Sequence, residues 1–566
     1  MPFYPSILSS FRSNRRLIFF GSWFLLNLVQ ARMTGLFEDE AYYWVYSKFP
    51  AWGYFDHPPM IALFIRAGFF LFKNELGVRL MVVIAGTLLL MALEAMLPKK
   101  NDPLFFAIIC SMAALQLGGF MSLPDSPMML FTAIYFLIYR QFLRHNNYVN
   151  TILMGLTIAL MLYSKYQTVL IVLFTFASNP RLLLKPKTYL FICIALLFFF
   201  PHILWQAQHG FISVQYQLVE RHAGSPYRLN YTLEYLTGQL LFAGPLAGPI
   251  LLWAGFAYRP QDLFEKSLRY TLIGIYGFFL VMTLKGRVEA NWTAPAFVPL
   301  IILSFLYLQS KVSVSRWIFR LAPVTLICVL VVRVYLALNV QPLSWLAKDE
   351  VHGNRQWSGI IQKKANGLPV FFIDSYQKAS MYWFYTGQPS FSLNTPDYHR
   401  NNYNFWPVED SFQNKAAYGV GPYDSLVFND PIVTPKGLMG GRVIPHYLSF
   451  SKMTIDSKKK LNIVNHHGAD ISLAVAGDRM VPRNSLQPPS DIAQLQLWID
   501  RSNQRSKIIN TGIPLSRLIS GERNFVTSFS VDLPRGIYEA RFAIPSSVPA
   551  NPTLNSTYLT LNLTNK

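Results

Sequence analysis

The chain has 566 residues, of which 52% are hydrophobic and only 14% charged, well below the roughly 25% charged of soluble proteins. A net charge of +21 would point to nucleic acid in a soluble chain, but multi-span membrane proteins collect Lys and Arg in their cytoplasmic loops, and that explanation argues against a nucleic-acid partner. The three cysteines, Cys110, Cys193 and Cys328, each sit inside an apolar run with no CxxC spacing, which argues against a disulfide framework or a cysteine metal site.

Arg12, Arg15 and Arg16 precede an apolar run over residues 17–36 that lacks a small-x-small cleavage site, so it reads as an uncleaved first span. Further runs predict spans at 78–97, 103–121, 127–143, 148–163, 165–179, 188–206, 233–257, 268–284, 293–309 and 316–338. Residues 59–73 are apolar but too short to cross, which suits a re-entrant or interfacial helix. Loops on the side of the N-terminus gather the basic residues, from Arg15 and Arg16 to Arg316 and Arg320. This places the N-terminus in the cytoplasm, and an odd number of spans then puts residues 38–77 and the C-terminal part outside. From about residue 340 the charges spread evenly. GLPVFFIDSYQKASMYWFYTG at 367–387 reads as a strand then a helix, and the short alternating runs from about 447 suggest an antiparallel β-sandwich. The expected fold is a membrane all-α bundle of about eleven transmembrane helices, residues 1–340. A soluble domain follows at 341–566, mixed α/β to about 445 and β-sandwich beyond.

The ionisable chemistry falls on the predicted outer side, and ionisable residues at membrane depth tend to mark function. Asp39 and Glu40 follow the first span and precede AYYWVYS, predicted as an amphipathic helix at the interface. A carboxylate there suits proton transfer from an acceptor; a solvated loop acid is the plainer reading. Asp56-His57-Pro58-Pro59 holds an acid beside a histidine on a stiffened chain, a pair that suits a divalent cation or a phosphate oxygen, or a satisfied polar residue. Asp125 lies in an SLPDSP turn that is also ordinary turn chemistry. Lys165 near a span end is either a snorkelling lysine or a partner for an anion. Glu220, Arg221 and His222 occupy a long external loop; Arg suits phosphate, Glu and His a metal. Lys285, Arg287 and Glu289 mark another span end, where the two cations read as interfacial anchors or as an anion clamp. No Walker, GxGxxG, HExxH or GxSxG pattern is present.

An Asp-Glu pair after the first span, an acid–basic residue–Pro-Pro motif and an Asp in a later external turn together resemble the polytopic GT-C glycosyltransferases. The likeness is greatest to the protein O-mannosyltransferase-like branch that includes bacterial aminoarabinose and lipopolysaccharide-core sugar transferases. It spans roughly residues 15–300, most specifically 38–60. The resemblance implies inverting sugar transfer from a polyprenyl-phosphate donor at the outer face of the inner membrane, with lipid A or a lipopolysaccharide core as first choice of acceptor and a protein hydroxyl as second. It implies that Asp39 is the catalytic carboxylate, with Glu40 beside it. His57, Lys165, Arg221, Lys285 and Arg287 are the candidates for the donor phosphate, and Asp125 and Glu289 for positioning the acceptor or sugar. Asp56, His57 and His222 are a candidate divalent-metal set. Where the aminoarabinose transferases carry Glu-Lys, this chain has Asp56-His57. A transporter or flippase is the alternative class. No internal hydropathy repeat favours it.

Overall fold

The computed structural model describes residues 14–97, 101–218, 227–340, 349–464, 469–476, 493–501, 504–520 and 524–564. It divides into two compact units, Met1–His352 and Gly353–Lys566, a boundary slightly beyond the expected 340/341.

The first unit is helical, and every expected apolar run lies on helix. Several runs are broken, however. Residues 103–121 form two helices, Asp102–Ser111 and Ala113–Gly118. Residues 233–257 form Leu229–Ala243 and Gly248–Ala257, bent by 95°. The break falls at Gly244, whose φ of 152° belongs to glycine, with Pro245 following. By length and composition, four helices among the described residues can cross a membrane, or up to six if each bent pair is one span. The expected count of about eleven therefore does not follow from the helices as they stand. Gly, Pro and polar residues interrupt the apolar runs, and such interruptions persist only where neighbouring helices re-satisfy the freed backbone.

The first helix, Asn14–Met33, turns by 88° into Glu38–Lys48. Sequence alone predicted an amphipathic surface helix for the latter. Instead every residue from Glu40 to Ser47 is buried. The aromatic residues that looked like an interfacial stripe pack against one another, Tyr42 and Tyr43 each meeting Tyr46 edge-on. The short apolar segment is a 12-residue helix, Met60–Leu71, buried along Met60, Ile61, Ile65 and Gly68 and exposed at Leu63, Phe70 and Leu71. It starts directly after Pro58-Pro59, where proline's fixed φ and missing N–H are tolerated.

In the second unit β1 (Val370–Ile373), β2 (Ser392–Leu393), β3 (Ala417–Pro422), β4 (Asp430–Thr434) and β5 (Gly437–Ile444) form one sheet in the order β2-β1-β3-β5-β4. The strand-then-helix reading of 367–387 is met by β1 and Tyr376–Thr386. Beyond it lie β6 (Thr454–Asp456), β7 (Lys460–Val464), β8 (Ala469–Ala476), β9 (Gln494–Arg501), β10 (Gln504–Pro514), β11 (Asn524–Phe529), β12 (Gly536–Ile544), β13 (Thr553–Leu554) and β14 (Leu559–Thr564). They make a six-stranded sheet, β10-β9-β12-β14-β7 with β13 on β12, and a three-stranded sheet, β11-β8-β6. Leu473, Val475 and Phe525 from the small sheet share a core with Leu497, Ile499 and Phe542 from the large one. That is sandwich packing.

Candidate active site

The two adjacent acids have different surroundings. Asp39 presents an exposed side chain in the first turn of Glu38–Lys48, where the helix N-terminus favours negative charge. Glu40 is fully buried. Its Oε1 accepts from Arg79 Nε at 2.8 Å and from the Ser122 N–H at 2.7 Å. Its Oε2 accepts from Arg79 Nη2 and from the Phe37 N–H, the latter at 3.0 Å. Arg79 in turn donates to the carbonyls of Ala31, Thr34 and Gly35 at 3.2, 2.6 and 2.8 Å. Ala31 lies in the last turn of the first helix, where carbonyls lack partners within the helix, and Thr34 and Gly35 lie in the bend just after it. Arg79 therefore caps one helix while Glu40 caps the next, and the bidentate pair pins the bend between them. Both carboxylate oxygens of Glu40 are thus occupied by hydrogen bonds from within the chain.

The same clamp reaches the turn before Asp125. Ser122 donates its N–H to Glu40 and its hydroxyl to the Val78 carbonyl at 2.7 Å, fixing the backbone that leads into the helix Asp125–Arg144. Asp125 Oδ1 pairs with Lys165 Nζ at 2.7 Å, and Oδ2 accepts from Asn291 Nδ2 at 3.3 Å. Lys165, at the end of Tyr148–Ser164, is buried. The anionic group that would give Lys165 more than a snorkelling role is thus Asp125. The pair joins the starts or ends of three helical elements, so neither residue acts as an isolated charge.

Asp56 and His57 are half-buried in the loop 49–59. A buried polar network whose partners sequence reasoning did not assign holds this loop. His202, on Pro186–Gln208, faces the Trp52 carbonyl with Nδ1 at 2.6 Å. A carbonyl only accepts, so Nδ1 carries the proton and Nε2 accepts from the Tyr166 hydroxyl at 3.2 Å. Gln206 donates to Ser213 Oγ at 2.6 Å, Ser213 donates to the Tyr54 carbonyl at 2.8 Å, and Gln217 donates to the Asp56 carbonyl at 3.3 Å. A side chain at Gly53 would collide with the Trp205 ring. Burial pushes the Tyr54 phenol up to about 12, keeping it a donor to the Tyr46 and Phe49 carbonyls at 3.0 Å each. A polar residue within an apolar run, His202 or Gln206, is the signal that marks such a network.

Lys285 is exposed. Arg287 lies between carboxylates, 3.3 Å from Glu234 and 3.8 Å from Glu289, all of them well exposed. Arg287 thus has anions of its own chain beside it. Glu220, Arg221 and His222 fall outside the described residues. The helix Ile212–Leu218, which precedes them, contacts the Asp56 loop through Ser213, Gln217 and the Phe55–Tyr216 ring pair at 4.7 Å. Among the described residues no group of three or more His, Cys, Asp or Glu is placed to hold a metal ion.

This architecture, a bent first helix, an acid at the bend and a β-rich unit after the helices, is similar to that of GT-C glycosyltransferases. Two crystal structures of ArnT from Cupriavidus metallidurans share it. The apo form has a TM-score of 0.55 at 14% identity over 75% of this chain and 97% of that one. The form bound to undecaprenyl phosphate has a TM-score of 0.56 at 13% identity over 76% and 98%. The family model for dolichyl-phosphate-mannose-protein mannosyltransferases matches residues 56–205. The chain resembles bacterial lipid A and lipopolysaccharide sugar transferases. In particular it is similar to the lipid A galacturonosyltransferase RgtD of Rhizobium johnstonii, 26% identical over 300 residues. That match covers 49% of this chain and 62% of the relative, less than two thirds of the relative's length.

Proposed function

We propose that the protein is an inverting glycosyltransferase that moves a sugar from a polyprenyl phosphate to lipid A or a lipopolysaccharide-core acceptor at the outer face of a bacterial inner membrane. The observation that carries this reading is the division of labour at the first bend. Glu40 and Arg79 lock the backbone, and Asp39 is left with its side chain exposed beside it. In the reaction the acceptor oxygen forms a bond to the anomeric carbon while the bond from that carbon to the phosphate oxygen breaks, so the configuration inverts. Asp39 orients the acceptor or takes its proton. The phosphate leaves with its electron pair, stabilised by cations. His57 and Arg221 are assigned to it, with Lys285 and Arg287 as further contacts. Lys165 serves through its pair with Asp125, which positions the sugar or acceptor together with Asn291 and Glu289. An apolar cavity of about 440 Å³ beside the 49–59 loop, lined by Trp52, Tyr54, Leu63, Leu160 and Tyr163 with Arg66 among them, suits an isoprenoid chain. The bound lipid named for one ArnT structure supports a polyprenyl-phosphate donor, and the name of the galacturonosyltransferase supports a lipid A acceptor.

With the N-terminus in the cytoplasm, the 38–77 segment and the C-terminal unit face the periplasm in this reading. Asp56 and His57 provide two of the three residues of a metal set with His222, so the steps above are written without a metal. Chelation of the purified protein tests the metal: unchanged transfer removes it and leaves His57 to contact the phosphate directly or to serve structurally.

The test is transfer by purified protein from defined polyprenyl-phosphate sugars to lipid A. Asp39→Asn keeps shape and removes charge. It should lower turnover by about 10²–10⁴-fold if Asp39 is a base, with thermal unfolding unchanged. Near-wild-type transfer in Asp39→Asn overturns the assignment. The matched family model, described as protein mannosyltransferases, favours a protein hydroxyl as second acceptor. Transfer to an acceptor peptide but not to lipid A establishes that reading.

A further inference from the structure

The large sheet of the second unit carries different chemistry on its two faces. Side chains alternate along a strand, so Leu497 and Ile499 of β9 and Ala540 and Phe542 of β12 enter the sandwich core. Trp498, Asp500, Glu539 and Arg541 take the opposite face. Register sets them side by side: Trp498 stands across from Arg541 on β12 and from Ile508 on β10. Tyr558, just before β14, lies against the Arg541 guanidinium, with 3.4 Å from Cζ to the ring centroid. Loops carrying Asp397, Asp424 and Asn551 close over this face to leave a cavity of about 910 Å³, within the size range of roughly 300–1,000 Å³ typical of small-ligand sites.

The lining fits one kind of ligand. Trp498 is half-buried and its Nε1 donates to Gln496 Oε1 at 3.0 Å, which holds the indole plane while its face remains available to the cavity. Aromatic faces suit the apolar face of a pyranose ring, and the carboxylates and Asn551 suit its hydroxyls. Asp397, Asp424, Asp500 and Glu539 outnumber Arg541, whose guanidinium already lies on Tyr558 and donates to the Tyr398 carbonyl. The balance is negative, which disfavours uronates and phosphates and favours amino groups. Burial and the nearby Asp500 raise the Glu539 carboxyl against the opposing charge of Arg541, and the net shift is upward. Among the described residues these acids form no group of three or more that would hold a metal ion, so they are spread out as contacts for an extended ligand.

We propose that this cavity binds a saccharide chain bearing free amino groups. This reading does not rest on the transfer reaction proposed above. The test is isothermal titration of the full-length protein in detergent with three probes: a glucosamine tetramer, an N-acetylglucosamine tetramer and a galacturonate tetramer. The glucosamine tetramer should bind at least tenfold more tightly than the other two. Trp498→Ala, and separately Asp500→Asn with Glu539→Gln, should each weaken it at least tenfold, while transfer activity stays at the wild-type level. The paired carboxylate variant touches no core residue, so it decides the matter if Trp498→Ala unfolds. Equal affinity for the three probes, absence of binding, or unchanged affinity in the carboxylate variant overturns the proposal.

Discussion

The clamp at residues 31–79 and the surface cluster at residues 234–289 use the same arginine–carboxylate pairing under opposite solvation. Arg79 and Glu40 are both fully buried. Arg287 and Glu234 keep 64% and 53% of their side chains exposed. In the first region desolvation makes each partner dependent on the other, and the pair becomes a rigid joint for the chain beside Asp39. In the second region water competes for both charges, so the contact is cheap to break and Arg287 can exchange partners. A buried polar residue in this protein thus reads as a device for holding geometry, and an exposed one as available for chemistry.

The largest effect expected from that contrast is at the joint. Arg79→Met should destabilise the protein by about 3–5 kcal/mol, because it leaves the buried Glu40 without its counter-charge. Adding Glu40→Gln should recover part of the loss, since the orphaned charge is then gone. Thermal unfolding of the single and double variants in detergent measures both. A double variant no better than Arg79→Met would show that the arginine's bonds to the Ala31, Thr34 and Gly35 carbonyls matter more than the ion pair.

Asp374 extends the comparison to a half-buried carboxylate held chiefly by neutral donors. It accepts from the Thr395 N–H and hydroxyl, both at 2.7 Å. Burial raises its carboxyl from 3.8 to about 6. The folded state therefore binds this proton more tightly than the unfolded state does. The stabilising contribution is fully present below the unfolded value, near pH 4, and is lost as pH rises through about 6. Asp374→Asn should equal wild type at low pH and become more stable than it, by about 1–3 kcal/mol, as pH rises from 4 to 7. Asparagine also tolerates the left-handed φ of 49° found there. A stability difference that does not change with pH would refute the assignment.

Lys165→Met should fall in a similar or slightly smaller range. It removes a charge-assisted bond worth about 1.5–3 kcal/mol from a pair that is only partly exposed. Donor use should drop at least about tenfold on that scale, and Lys165→Arg should restore part of it. Wild-type kinetics in Lys165→Met would leave the pair a helix fastener only. The smallest effect belongs to the surface cluster: Arg287→Ala should change unfolding by less than about 1 kcal/mol. A larger loss of stability would mean that this region is buried in the working protein.

Much of the fold is legible in the amino-acid sequence. The apolar runs are helices because a helix satisfies its backbone within one segment in an apolar setting. The short run after Pro58-Pro59 is a short helix, and VFFI at 370–373 is a strand followed by a helix. The concentration of ionisable residues at 38–57, 125 and 165 is visible as a break in the apolar pattern. The helix after Asp39 is not legible in the same way. Its local pattern suits a membrane surface, yet it is buried, because aromatic residues at an interface and aromatic residues packed inside a bend have the same local sequence.

What the sequence by itself determined is therefore the inventory: which segments are helix or strand, and which few residues carry charge among apolar neighbours. Those properties depend on composition and short-range periodicity. Tertiary structure decided what each charge does. Glu40 was separated from Asp39 by Arg79, 39 positions further on. Lys165 acquired Asp125 as its anion from 40 positions away, and Trp498 met Arg541 only through strand register. Adjacent acids look alike in a sequence because their difference lies in solvation, and solvation is set by distant segments that pack around one and not the other.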